Sequence, residues 1–134
     1  MGEGKQVSKE LQALFVDEGE QAVDGLLRTT LESLLGLTRD GRIIAKSPFL
    51  KLALPSRILA VLLARRAMVR LSVPNATAEA SPEQLEDECV APLKACRECL
   101  SRLKAKKILD KNEAGYFVPL WAVSRAVEEI KGNS

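Results

Sequence analysis

Apolar residues recur along this chain mostly at the spacings of helices, interrupted twice by short runs that suit strands. From residue 7 to about 35 the pattern is helical. Leu11 and Phe15 stand four apart, and Val23, Leu26, Leu27, Leu31, Leu34 and Leu35 then follow mainly in steps of three and four, the period of one helix face. Gly19 and Gly25 fall inside this stretch, so one bent helix and two short ones both fit it. Asp40-Gly41 lies between Leu35-Gly36-Leu37-Thr38 and Arg42-Ile43-Ile44-Ala45, a turn signal that predicts a short β-hairpin. Residues 1–6 lack any pattern and read as disordered.

Prolines then punctuate the chain. Ser47-Pro48 predicts an N-cap and first turn for a short helix from Phe49 to Leu54. Pro55-Ser56 opens a stronger helix, 56–71, with Ile58, Leu59, Leu62, Leu63 and Val69 on a wide apolar face and Arg57, Arg65, Arg66 and Arg70 around the rest. Val73 to Thr77 reads as a loop. Ser81-Pro82-Glu83-Gln84 is the sharpest local signal: serine caps, proline takes the first turn, and Gln84 can reach back to the capping amide. That helix, 82–89, breaks at Val90-Ala91, and Pro92 begins another, 92–106, with Cys96, Cys99, Leu100 and Leu103 on one face. Residues 107–118 form two β-rich runs around a glycine-containing turn, a hairpin signal. Pro119 closes it, and a last helix runs from Leu120 to about Lys131, with Val123, Val127 and Ile130, and Trp121 nearby, able to pack inward.

Composition narrows the function. The chain has 134 residues and is 46% hydrophobic but only 4% aromatic, so an aliphatic core in one domain is expected. No apolar run approaches the roughly 18 residues of a membrane span, and the start Met1-Gly2-Glu3-Gly4-Lys5 does not open as a signal peptide does; the expected location is cytoplasmic. Histidine is absent, which removes the commonest general base and metal ligand. No nucleophile has a candidate base and there is no glycine-rich phosphate loop, so no catalytic residue and no cofactor is assigned and an enzyme is not expected. Three cysteines, Cys89, Cys96 and Cys99, fall short of the four ligands of a structural zinc site; buried structural thiols are expected instead, with no metal bound. Net charge is only +2, yet residues 39–70 carry +7, 71–90 carry −5 and 91–107 carry +5. The last block points to nucleic acid.

The order of helix 56–71, short helix 82–89, tight turn, helix 92–106 and hairpin 107–118 resembles the winged helix-turn-helix DNA-binding family, as in small prokaryotic or archaeal transcription regulators. The resemblance covers residues 56–119. It rests on Leu85 where the short helix packs, Cys96 at the small apolar position of the second helix, the pair Leu100 and Leu103, the aliphatic Ile108-Leu109 opening the wing, and Asp110 to Phe117 as the wing. It implies a mainly α fold with small β-hairpins, organised as an N-terminal helical region with a possible hairpin (1–46), a winged helix-turn-helix (47–119) and a C-terminal helix (120–134). It also implies a transcription regulator whose recognition helix, 92–106, enters the major groove of double-stranded DNA. Lys94 and Arg97 would then meet base edges or nearby phosphates, with Ser101 and Arg102 outward or at the edge. Lys104, Lys106 and Lys107 would meet backbone phosphates. A homodimer through 7–35, chiefly Leu27, Leu31 and Leu34, is a further implication; packing of those leucines within their own domain is the alternative. The acidic helix (Glu83, Glu86, Asp87, Glu88) and the wing acids Asp110 and Glu113 keep a second function open, an adaptor that uses the same fold to bind protein.

Overall fold

The apolar run Ile58–Ala64 decides the architecture. Every residue in it is wholly buried, so the helix that carries it, α3 (Leu54–Arg70), has no solvent face along its middle turns. A helix that is apolar all round must be covered on every side. The computed structural model describes residues 22–132, and within them α3 is the axle around which the other elements sit. The helical expectation for residues 7–21 lies outside the described residues.

The fold is mainly helical with two small antiparallel hairpins. Helix α1 (22–31) leads into β1 (Leu35–Leu37) and β2 (Ile43–Ala45), paired Leu35 to Ala45 and Leu37 to Ile43. The short α2 (Ser47–Leu50) precedes α3. Then come α4 (Pro82–Cys89), α5 (Leu93–Ala105), the hairpin β3 (Asp110–Asn112) and β4 (Gly115–Phe117), a 3-10 turn (Leu120–Ala122) and α6 (Val123–Gly132). α3 packs against α4, α5 and α6. One buried cluster runs from Leu27 through α3 to Ile130, joining the first and last described helices to the middle of the chain. Among the described residues no helix is long and apolar enough to cross a membrane.

Polar side chains on α3 tie the surrounding layer down. Arg57 Nη1 donates to the Cys89 carbonyl at 2.7 Å, at the end of α4 where carbonyls lack helical partners and a cation is favoured. Arg65 donates to the Glu88 carboxylate, 3.0 Å from Nε, and to the Glu79 carbonyl. Arg66 donates to the Val118 carbonyl at 2.9 Å, just beyond β4. Arg70 meets Asp24 of α1 through both carboxylate oxygens, at 2.9 and 3.1 Å. That bond holds the Asp24 carboxyl below the usual carboxylate range, so its contribution is present above the unfolded value near 4 and fades as pH falls through the folded one. With Asp24 half-exposed, the contribution is small.

Several boundaries differ from the sequence expectation for identifiable reasons. The short helix ends at Leu50 rather than Leu54, because Leu54 is already the first residue of α3. Lys46, not Ser47, occupies the N-cap of α2. Ile108 and Leu109 are core residues in the link after α5, and the wing strand begins at Asp110. Val69 is exposed on α3, and Ala60, Val61, Ala64 and Met68 are buried instead, since the cover extends all round the helix rather than along one stripe. Trp121, carried by a 3-10 turn rather than by α6, is two-thirds exposed. Leu27, Leu31 and Leu34, offered above to a second copy, are buried within the chain.

Three helices end in left-handed residues that are not glycine. Ser72, Val90 and Lys107 follow α3, α4 and α5 with φ of 58, 54 and 63°. After α5 the Ile108 N–H reaches the Leu103 carbonyl and the Lys107 N–H the Lys104 carbonyl, the paired bonds of a Schellman ending. Val90 is the strained member, because a β-branched side chain crowds its own backbone in this region. Its side chain is exposed and loses little burial on replacement. Val90→Asn is therefore expected to raise stability by about 1 kcal/mol, measured by denaturant unfolding; a loss of stability would show that the left-handed turn is not strained.

Candidate nucleic-acid interface

The site begins with the capping box that starts α4. The Ser81 hydroxyl accepts from the Gln84 N–H at 3.2 Å and Gln84 Oε1 accepts from the Ser81 N–H at 2.9 Å, satisfying two amides reciprocally. Buried Leu85 and Cys89 then fix α4 on the core. The chain turns at Val90, and Pro92 caps α5. Proline has no N–H to offer, so the first free amide of α5 belongs to Leu93. It donates to the Glu86 carboxylate at 3.2 Å, a favourable place for a negative charge. This bond joins the two helices across their turn.

The inward arc of α5 is Cys96, Cys99, Leu100 and Leu103, all buried. By helical geometry the opposite arc carries Lys94, Arg97, Ser101 and Lys104 in steps of three and four, and all four are exposed. Arg102 lies on the flank, with Glu98 at 3.9 Å. Arg97 faces Glu83 of α4 at 3.8 Å with both side chains more than half exposed, a pair too open to hold firmly. Lys107 lies past the end of α5 in its left-handed turn. Lys106 is directed to α6, where it meets Glu129 at 3.3 Å. The structure thus gathers Lys94, Arg97, Ser101 and Lys104 on one exposed arc, sets Arg102 at its edge and leaves Lys107 beyond its end.

Beside α5 the chain forms a third short β contact that the sequence did not reveal. Ala80, just before the capping box, exchanges two hydrogen bonds of 2.9 Å with Tyr116 of β4. Gly115 makes the approach possible, since a Cβ there would fall 2.5 Å from the Ala80 carbonyl oxygen. At the hairpin tip Asn112 Oδ1 accepts from the Ala114 and Gly115 amides, a side-chain-closed turn. Lys111 holds its ammonium 5.2 Å from the Tyr116 ring centre, within cation–π range. The β3 residues Asp110 and Asn112 and the tip residue Glu113 are exposed, so the hairpin surface is mixed in charge.

The acids of α4 also have definite places. Glu88 is bound to Arg65, Glu86 to the start of α5 and Glu83 to Arg97. Glu88 and Glu86 hold α4 to α3 and to α5, whereas Glu83 makes only the open pair with Arg97; the sequence could not show this because each partner lies on a different element.

Cys89, Cys96 and Cys99 are free thiols within the core. Burial pushes all three thiols up, away from the thiolate that metal binding and nucleophilic attack need. Among the described residues no group of histidine, cysteine or carboxylate side chains is placed to hold a metal ion.

No protein-family model matches this chain, and neither a curated protein nor a solved structure does so.

The buried thiols are expected to react with a thiol reagent only after the protein unfolds, and protein purified without chelator should carry no stoichiometric zinc by elemental analysis. One zinc per chain, lost on Cys96→Ser, would contradict the structural reading of these cysteines.

Proposed function

We propose that the chain is a winged-helix protein that binds double-stranded DNA through α5, in the manner of a transcription regulator. The observation that carries this reading is the exposed basic arc of Lys94, Arg97, Ser101 and Lys104 on a helix whose other side is locked into the core. The order of elements supports the fold name: a core helix, a bridging strand residue at Ala80, a capped helix, a second helix across a tight turn, and a hairpin. A helix set out this way fits the major groove, with its first turns nearest the bases. Lys94 and Arg97 are then placed to read base edges, Arg carrying the fork that matches guanine. Ser101 and Arg102 lie at the side of the contact, and Lys104 and Lys107 meet phosphates.

A second reading, an adaptor for a protein partner, is favoured by the hairpin. Asp110 and Glu113 are exposed beside Lys111, and a hairpin gripping phosphates would place bases there. In that reading the arc on α5 takes an acidic protein surface.

The two separate in a fluorescence-anisotropy titration with mixed duplex DNA at two salt concentrations. DNA binding predicts affinity that falls with salt. Once a preferred sequence is selected, Arg97→Ala should cost about 1–3 kcal/mol against it and much less against random duplex. Lys104→Ala should weaken all sequences alike and flatten the salt dependence by about one unit of slope. Failure of the wild-type protein to bind any duplex at about 50 mM salt, where non-specific binding is strongest, would remove the DNA reading and leave the adaptor.

A further inference from the structure

An apolar groove runs alongside α1, away from α5. Leu27 and Leu31 of α1, Leu35 and Leu37 of β1, and Ala67 and Leu71 at the end of α3 line a cleft of about 440 Å³. A second cleft of about 420 Å³ continues from it past Leu37 and Leu71 toward Pro74. The first cleft is lined mainly by aliphatic side chains and the second also by Thr38, Arg39 and Ser72, and Leu71 remains 67% exposed. Charges stand at the rim, where Arg28 meets Glu32 and Arg70 meets Asp24. Leu27, Leu31 and Leu35 form a floor that is already buried, so the apolar surface left open is that of Leu71 and of the half-buried Leu37 and Ala67, and covering it would be favourable.

We propose that the occupant is the chain's own segment 7–16, folded back along α1. The first argument is position. Residues 1–21 precede the described structure, and its first residue, Ala22, lies two positions before Asp24 in the groove wall. A tether of five residues, 17–21, holds 7–16 at an effective concentration in the millimolar range, far above that of any free partner. The second is pattern. Val7, Leu11, Leu14 and Phe15 recur in steps of four, three and one, which places them on one face of a helix. Ten residues of helix extend about 15 Å, the scale of the groove wall from Asp24 to Leu31 and beyond. The third is charge. Residues 1–21 carry two bases and five acids, whereas Arg28, Arg39 and Arg70 lie along the two clefts against Asp24 and Glu32. Gly19, within the tether, supplies a residue free to reverse the chain. The groove is then an internal seam, and residues 7–35 form a hairpin of two segments rather than an arm offered to a second copy.

The test is an isotope-filtered NOE experiment on the full chain, with labelled and unlabelled protein mixed in equal amounts. Contacts from the Phe15 ring to the methyls of Leu31 and Leu71 are expected within one chain. The same contacts seen only between chains would overturn the proposal in favour of a second copy, and their absence would overturn it altogether. A thermal comparison gives an independent readout. Phe15→Asp should lower the melting temperature by roughly 5–15 °C, whereas Ala13→Asp, on the other face of the segment, should leave it nearly unchanged. Equal effects from the two substitutions, or none from either, would overturn the assignment of the apolar face.

Discussion

The complete burial of α3 is the constraint on which the rest of this structure depends. A helix with no solvent face along Ile58–Ala64 is stable only while other elements enclose it, and each enclosed leucine, isoleucine or valine contributes on the order of 1.5–3 kcal/mol. Apolar packing has little directional preference, so it does not by itself fix where the enclosing elements lie. The arginines at the flanks of the run do that. Arg57 takes the end of α4, Arg65 takes Glu88 and the Glu79 carbonyl, Arg66 takes the chain leaving β4, and Arg70 takes α1. A guanidinium suits this role because its donors form a rigid planar fork on a long apolar stem. These four charges of the strongly basic stretch 39–70 are therefore committed to holding the fold.

This arrangement separates two kinds of positive charge. The arginines of α3 point at carbonyls and carboxylates within the molecule, whereas the bases on the outer arc of α5 are exposed, Arg97 with only the open pair to Glu83. α5 itself is fixed at its start by Pro92 and the Glu86 carboxylate and at its finish by the Schellman ending with buried Leu103 and Ile108. A rigid helix with a charged outer face presents its side chains in a set register, which a flexible basic tail cannot do. That register is what a groove-reading function needs.

Much of the helical frame was legible in the residues. The capping box at Ser81 and Gln84 formed as its spacing implied, and the cysteines and leucines of α5 turned inward at their expected period. Short-range rules sufficed there because every interacting group lies within a few residues. The helix endings were harder to read. Ser72, Val90 and Lys107 take left-handed backbones without glycine; after α3 and α5 the paired hydrogen bonds of the helix ending outweigh the local preference. The Ala80–Tyr116 bridge is a contact 36 residues apart and has no local signature beyond Gly115. The acids of α4 read from sequence as grounds for a protein-binding adaptor, yet three of them face partners on α3 or α5. Pairings between elements of this kind cannot be counted from spacing along one helix. The basic arc was legible as residues, and its exposure depended on how α5 is buried against α3.

In the function proposed, the α3 arginines serve the fold while the α5 bases face a nucleic-acid partner. The most direct measurement is amide chemical-shift mapping of isotope-labelled protein titrated with mixed duplex DNA at about 50 mM salt. Shifts are expected to concentrate from Leu93 to Lys107, with the amides of Ile58–Ala64 nearly unmoved. Shifts centred on another face, or no shifts at saturating duplex, would contradict the proposed function.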